Sequence, residues 1–308
     1  MSDEDGRLRR LASTASLAVA VLLTALKLAA ALLTGSVAIL SSLVDSVADI
    51  AASAITFFSV RLAQQPPDRR HRFGHGKAES LSALAQAALV GGAALFVLVE
   101  AIRRVVEPEP VRAGLWGLGT MAFALTATLL LVLFQGRVVR LTGSQAIAAD
   151  RLHYQSDFLS GAAVIGSLLA SELLGLWWAD PLFGVGIALW LLHSAWRIGH
   201  EAVHVLMDHE LPAADRERIK AIVTAHPEVE DLHDLRTRGA AGTRFIEFHI
   251  EIDGEMSVHA AHRVTDALER ELADAFPDSE IIIHQEPAGL EDDRLDHRIA
   301  ATRTRTGA

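Results

Sequence analysis

Two pairs of candidate metal ligands lie inside apolar stretches of the sequence. Asp45 and Asp49 are four residues apart in one stretch, and His153 and Asp157 are four residues apart in another. This spacing places both members of a pair on one face of a helix. If the two faces meet, three carboxylates and one imidazole surround an ion, a ligand set that suits tetrahedral zinc. The alternative is polar contact between helices, but buried carboxylates are rare in membranes without an ion or a pathway.

A second group of candidate ligands lies in the connection at residues 61–77. It consists of Asp68, His71 and His75, with Gly74 and Gly76 allowing a tight backbone. Three N and O ligands are a minimal metal site. The neighbouring arginines would repel a cation and favour a solvated basic loop, so both interpretations stay open.

A third group lies near the C-terminus. Four histidines fall on three predicted strands and one predicted helix, and an amide and a carboxylate directly follow the last of them. A lone histidine is more often a core or surface residue than a ligand. Four of them beside a carboxylate favour a metal site, because imidazole and carboxylate both bind zinc. The group comprises His233, His249, His262, His284, Gln285 and Glu286.

The composition favours a membrane domain joined to a soluble domain. Of 308 residues, 51% are hydrophobic and 21% charged, and the mean hydropathy is +0.29. Residues 1–208 sum to zero charge, and residues 209–308 carry the whole net charge of −10. The acidic domain argues against nucleic acid. The sequence has no cysteine, which excludes thiolate sites and disulfides, and no Walker motif, so no ATP motor is expected.

Six apolar stretches predict an all-α transmembrane domain over residues 1–208. Each has about 20 residues or more, enough to cross a hydrocarbon core of ~30 Å. Arginine and lysine are concentrated at the N-terminus and in the 61–77 and 137–151 connections, which predicts cytoplasmic termini. The three basic residues of the 103–112 connection are the one inconsistency. The stretches are 11–33, 37–62, 79–106, 113–136, 145–171 and 178–206.

Residues 209–287 predict a cytoplasmic α+β domain with the order α-β-β-α-β. In its second strand, Ile246, Phe248 and Ile250 alternate with polar residues, which is typical of a half-buried strand. This order resembles a ferredoxin-like fold. Residues 288–308 are polar and are expected to be disordered.

Five segments together resemble the cation diffusion facilitator family of metal–proton antiporters, in its bacterial zinc and ferrous-iron efflux branch. The resemblance covers residues 7–287. The segments are TGSVAIL at 34–40, VDSVAD at 44–49, FGHGKAE at 73–79, LHYQSD at 152–157 and IHQE at 283–286.

The resemblance implies a role for each group of ligands. It implies a transport site at Asp45, Asp49, His153 and Asp157, a loop site at Asp68, His71 and His75, and a binuclear cytoplasmic site at His233, His249, His262 and His284, with Gln285 in its outer shell. Glu286 stands where close relatives have a bridging aspartate. It also implies a charge interlock between protomers at Lys77 and Asp208, and a hydrophobic gate at Leu152.

The expected function is efflux of divalent metal from the cytoplasm by proton antiport with alternating access. The family implies a homodimer in the lipid bilayer of a bacterial inner membrane, with zinc as both substrate and regulatory ligand. Cadmium and ferrous iron also fit the ligands. A metal-dependent membrane hydrolase and a membrane-anchored metal sensor are the alternatives.

Overall fold

The computed structural model describes residues 3–34, 37–106, 115–174, 179–289 and 294–299; within these, the side chains at 30–45, 104–121, 164 and 167–180 are not described. The chain divides into two compact units between Leu206 and Met207.

The first unit contains six long helices in the described ranges. Among the described residues, five of them are long and apolar enough to cross a membrane, namely α1, α2, α3, α4 and α6. The remaining helix, α5, carries two aspartates, an arginine and a histidine in its first half, and its spanning role stays a prediction. The helices are α1 (Asp3–Thr34), α2 (Val37–Ala63), α3 (Lys77–Val106), α4 (Leu115–Thr142), α5 (Gln145–Leu174) and α6 (Ala179–Leu206).

Helix α1 begins eight residues before the apolar stretch predicted from the sequence, which starts at residue 11. Asp3, Glu4 and Asp5 occupy its first turn. Carboxylates at this position stabilise a helix, because the unpaired N–H groups of its first turn carry partial positive charge. The polar start therefore extends the membrane helix.

Small residues allow α3 and α6 to pack closely. Gly184 lies opposite Ala101, where an added Cβ would come within 2.9 Å of the alanine Cβ. Gly199 lies opposite Ala87, where the corresponding distance is 3.4 Å. Such small residues bring helix backbones together in membranes, where apolar burial alone gives little drive for association.

A buried ion pair joins α1 to α3. The guanidinium of Arg9 donates to Glu79 Oε1 at 3.0 Å, and both side chains are almost completely buried. Arg9 also donates to the Thr142 carbonyl at 2.7 Å, and the Ser144 hydroxyl donates to the second oxygen of Glu79. The pair therefore fixes α1 and α3 to the turn between α4 and α5.

The second unit follows the predicted order of helices and strands. Its sheet has the order β1-β2-β3, with β1 antiparallel and β3 parallel to the central β2. The ferredoxin-like assignment stays a prediction. The elements are α7 (Ala213–Thr224), β1 (Asp231–Ala240), β2 (Thr243–Ile252), α8 (Val258–Ala275) and β3 (Ser279–Pro287).

One face of this sheet forms the core. Phe248 and Ile250 of β2 pack with Leu268 and Leu272 of α8 and with Ile219 of α7, and all five are buried. Alternation along β2 turns His249 and Glu251 to the opposite face. The apolar pattern that builds the core thus creates a polar face on the other side.

Part of the C-terminal tail is ordered against β1. The Asp234 carboxylate accepts hydrogen bonds from the backbone N–H groups of Leu295 and Asp296, at 2.8 and 2.9 Å. Asp296 in turn accepts from the Asp234 N–H at 3.0 Å. A carboxylate on β1 therefore binds the backbone of residues 294–299, a described part of the tail.

Candidate metal centres

The described part of the transmembrane unit brings Asp49 of α2 together with His153 and Asp157 of α5. His153 Nε2 lies 3.2 Å from Asp49 Oδ1 and 3.8 Å from Asp157 Oδ2. Two ligands of one tetrahedral zinc ion lie roughly 3.3 Å apart, since each bond is ~2.0–2.1 Å long. His153 and Asp49 are therefore spaced as two ligands of one ion would be, and ligand atoms of all three residues lie within 4.8 Å of one another. The exposed fraction rises from 16% at His153 to 43% at Asp157, so the cluster is accessible from one side.

Asp45 lies on the same helix as Asp49, but its side chain lies outside the described residues. The backbone of α2 is continuous through both positions. Four residues make about one turn, so the two positions share a helix face. For Asp45, the fourth predicted ligand, the structure therefore gives the position on the helix and not the position of the carboxylate.

A hydrogen-bonded group behind the cluster holds α5 against α1 and α2. The Tyr154 hydroxyl donates to the Ser16 carbonyl at 3.1 Å and lies 2.8 Å from Ser53 Oγ. Ser16 and Ser53 are themselves 3.0 Å apart through their hydroxyl oxygens. The sequence signal for this group is slight: Tyr154 is the only tyrosine in the chain, and it adjoins His153.

Two further residues of the transmembrane unit occupy defined positions near the cluster. Leu152 is buried and packs in a cluster with Leu191 of α6 and Val90 of α3. Lys27 donates from Nζ to Ser46 Oγ at 2.7 Å, which links α1 to α2.

The connection between α2 and α3 brings Asp68, His71 and His75 together. His75 Nε2 lies 3.1 Å from His71 Nδ1 and 3.5 Å from Asp68 Oδ2. Gly74 has a φ of 78°, a conformation that favours glycine and lets the chain turn between the two histidines. Hydrogen bonds from the backbone N–H groups of His71 and Arg70 lower the pKa of Asp68 below its ordinary value. The carboxylate is therefore ionised and available as a ligand.

The polar face of the cytoplasmic sheet carries a row of three histidines and a row of three acids. His249 of β2 is in register with His233 of β1 and His284 of β3. Two residues further along, Glu251 is in register with Asp231 and Glu286. Both rows lie on one face, because side chains alternate with a period of two.

Glu286 connects the histidines of this face. Its oxygens lie 2.8 Å from His249 Nδ1, 3.2 Å from His233 Nε2 and 3.4 Å from His284 Nε2. Ligand atoms of His233, His249 and Glu286 all lie within 4.8 Å of one another. This arrangement is suited to a divalent ion. The side chain of Glu286, which is one methylene longer than that of an aspartate, reaches all three imidazole rings.

His262 and Gln285 lie apart from that cluster. Gln285 follows His284 on β3, so it points to the other face, where its amide donates to Thr265 of α8 at 3.2 Å. His262 also lies on α8, with Nε2 3.6 Å from Asp266 Oδ1. In the described chain the predicted binuclear set is therefore divided between two faces, because neighbouring strand residues point in opposite directions.

The two residues of the predicted charge interlock have other contacts within their own units. Lys77 Nζ donates to the Leu206 carbonyl at 3.3 Å. Asp208 lies 3.6 Å from the guanidinium of Arg238.

Comparison with known proteins accounts for nearly the whole chain. The family model of the cation efflux transmembrane domain matches residues 13–207, and that of the cation efflux protein cytoplasmic domain matches residues 211–288. The cation-efflux pump FieF of Cronobacter sakazakii is 46% identical over 290 residues, covering 94% of this chain and 96% of that protein. FieF of Klebsiella pneumoniae is 45% identical over 295 residues, with the same coverage.

A solved structure of the metal-bound C-terminal domain of the CzcD transporter from Thermotoga maritima is also similar. It is 35% identical with a TM-score of 0.25, and the match covers 26% of this chain and 93% of that one. The two family models together cover both units, one model for each, and each of the two pump relatives covers both. The chain therefore belongs to the cation efflux family, also called the cation diffusion facilitator family, whose members are membrane transporters and not enzymes.

Proposed function

We propose that this membrane protein exports divalent metal cations, zinc foremost, from the cytoplasm in exchange for protons. The observation that carries the proposal is the cluster of Asp49, His153 and Asp157 between two helices of the transmembrane unit. Placing carboxylates there is costly unless they serve an ion or a pathway. The two pump relatives named for cation efflux support the same conclusion.

The ligand types favour zinc over harder cations. Three carboxylates and one imidazole, with Asp45 as the proposed fourth ligand, suit zinc in tetrahedral geometry. An all-carboxylate site would favour manganese or magnesium, whereas the imidazole of His153 shifts the preference toward zinc. Cadmium and ferrous iron also accept this set, so we include them as substrates.

Proton exchange follows from the same ligands. Metal binds neutral imidazole and ionised carboxylate, so each ligand holds either a metal ion or a proton. We propose that zinc binds from the cytoplasm, that the helices rock to expose the site to the opposite side, and that protons there displace the metal. Histidine is suited to this exchange, because its ordinary pKa of ~6.5 lies closest to physiological pH.

The remaining sites take supporting roles in this proposal. Leu152, buried one residue before His153, acts as a hydrophobic gate when α3 and α6 move past it. Lys77 and Asp208 interlock two protomers of a homodimer. The protein lies in a bacterial inner membrane with both termini in the cytoplasm.

The loop and cytoplasmic clusters are proposed as regulatory sites. Asp68, His71 and His75 take up metal beside the membrane. His233, His249, His284 and Glu286 hold one regulatory zinc ion. His262 and Gln285 contribute to the site of a second ion on the α8 side of β3. Asp266, close to His262, supplies a further oxygen ligand there.

Replacement of Asp157 tests the transport site. Asp157→Asn keeps the shape of the side chain and removes its charge. We expect zinc flux into proteoliposomes to fall by at least about 10–100-fold, the usual loss when even an outer partner of a metal ligand is removed. Asp274→Asn on the exposed surface of α8 is the matched control and should transport normally.

Two results would contradict the proposal. Normal flux in Asp157→Asn would remove this residue from the site. Zinc binding without flux in the unaltered protein would indicate a membrane-anchored metal sensor, which is one of the alternatives that the sequence leaves open. In a sensor, replacing His249 would abolish the response while Asp157 would be dispensable.

A further inference from the structure

A second cluster of acidic and imidazole groups lies beside the first on the cytoplasmic sheet. Asp231, His233 and Glu251 each offer a ligand atom within 4.8 Å of the others. Asp231 and Glu251 are in register across β1 and β2, two residues from the pair His233 and His249. His233 thus belongs to both clusters. We call Asp231, His233 and Glu251 the edge site.

A cationic side chain already binds two members of the edge site. Arg294 donates from Nη1 to Asp231 Oδ2 at 2.8 Å and from Nη2 to Glu251 Oε1. Glu251 also accepts the backbone N–H of Gly289 at 3.2 Å. Arg294 and Glu251 are largely shielded from solvent, at 18% and 11% exposure. The position therefore selects positive charge in a partly buried setting, where charge-assisted bonds are strong.

Arg294 also belongs to the described segment 294–299, which packs against β1. The next two residues donate their backbone N–H groups to Asp234, one residue along β1 from His233. Two anchors thus hold the segment, the Arg294 ion pairs and the Asp234 carboxylate.

We propose that the edge site is a further divalent metal subsite, that Arg294 fills it when metal is scarce, and that metal binding displaces Arg294 and loosens residues 294–299. This goes beyond the proposed transport function, since it requires no movement of metal across the membrane.

Ligand chemistry supports competition between the two cations. Two carboxylates and an imidazole make a common set for zinc, whose ligands must lie ~2.0–2.2 Å from the ion. A guanidinium bound to the same oxygens occupies that space and supplies its own positive charge. The two cannot share Asp231 and Glu251, so binding of one releases the other.

Limited trypsin digestion measures this release directly, because trypsin cleaves after Arg294 only when that side chain is freed. The full chain in detergent is digested with and without zinc, and cleavage after Arg294 is followed by mass spectrometry. We expect saturating zinc to raise the rate about tenfold, since cleavage follows the population of the open segment and one charged hydrogen bond is worth about a factor of ten. A peptide substrate digested in the same zinc concentrations corrects for effects on trypsin.

Two edge-site variants and one transport-site control separate the edge site from other zinc effects. Asp231→Asn removes one partner of Arg294 and one metal ligand, so cleavage should be fast without zinc and unchanged by it. Arg294→Lys keeps a cleavable bond but loses the two-pronged pairing, so cleavage without zinc should also rise. Asp157→Ala, which removes a transport ligand, should respond to zinc as the unaltered protein does.

Three outcomes would overturn the proposal. These are a zinc-independent rate in the unaltered protein, slower cleavage with zinc, and an undiminished zinc response in Asp231→Asn. Loss of flux in the transport assay has no bearing on any of them, so the two proposals fail separately.

Discussion

The buried ion pair between Arg9 and Glu79 allows a quantitative prediction. Both side chains are at most 3% exposed, and their closest atoms are 3.0 Å apart. Glu79→Ala leaves the guanidinium buried without its carboxylate and removes the acceptor of the Ser144 hydroxyl. Breaking one partner of a buried pair costs about 3–5 kcal/mol. For a unit of this size, each kcal/mol lowers the unfolding temperature by about 2–4 °C, so the expected fall is about 6–20 °C.

Thermal unfolding followed by tryptophan fluorescence in detergent measures this effect, at one scan rate for all variants. Glu100→Ala on the same helix is the matched control. Glu100 pairs with Arg103 at 3.6 Å, and both side chains are far less buried than those of Arg9 and Glu79, so breaking this pair should cost less. The double variant Arg9→Leu and Glu79→Leu should recover much of the loss, because replacing both charges leaves none buried alone. A fall no larger than that of Glu100→Ala, or a double variant as unstable as the single, would refute this reasoning.

Three further variants test the cytoplasmic site and the packing around both units. His249→Ala should abolish most of the zinc-dependent stabilisation of the cytoplasmic unit, which is about 2.7 kcal/mol at a hundredfold excess of zinc over its Kd. Calorimetry with and without zinc measures this stabilisation. An undiminished zinc-dependent rise in unfolding temperature would argue against the site. Tyr154→Phe removes the hydroxyl that meets Ser53 and should cost about 1–3 kcal/mol in thermal unfolding, whereas an unchanged protein would show that this contact is dispensable. Ser257→Ala removes the oxygen that caps α8 by accepting from Ala260 N–H, so denaturant titration should show a loss of about 1 kcal/mol, with Ser257→Asp as the control that retains a cap.

Local patterns in the sequence predicted the helices, the strands and the residues that share a face. The spacing of four predicted that His153 and Asp157 point the same way, and the structure places them 3.8 Å apart. The alternation along β2 predicted one apolar and one polar face, which is how Phe248 and His249 are oriented. Such short-range features depend on backbone periodicity alone.

Long-range pairings could not be predicted in this way. Arg9 and Glu79 are 70 residues apart, and Asp231 and Arg294 are 63 apart. No local rule specifies which buried charge meets which partner, because the packing of whole elements determines it. The position of Gln285 shows the same limit, because its hydrogen bond to Thr265 depends on how α8 packs on the sheet.

Simultaneous measurement of zinc and proton movement tests the central claim most directly. Proteoliposomes holding a zinc-sensitive dye and a pH-sensitive dye would be made acidic inside and given zinc outside. We predict zinc entry together with zinc-dependent proton exit, both absent in Asp157→Asn. Zinc entry should also be lost once a protonophore has dissipated the pH gradient. Zinc entry that ignores the pH gradient, or that persists unchanged in Asp157→Asn, would contradict the account.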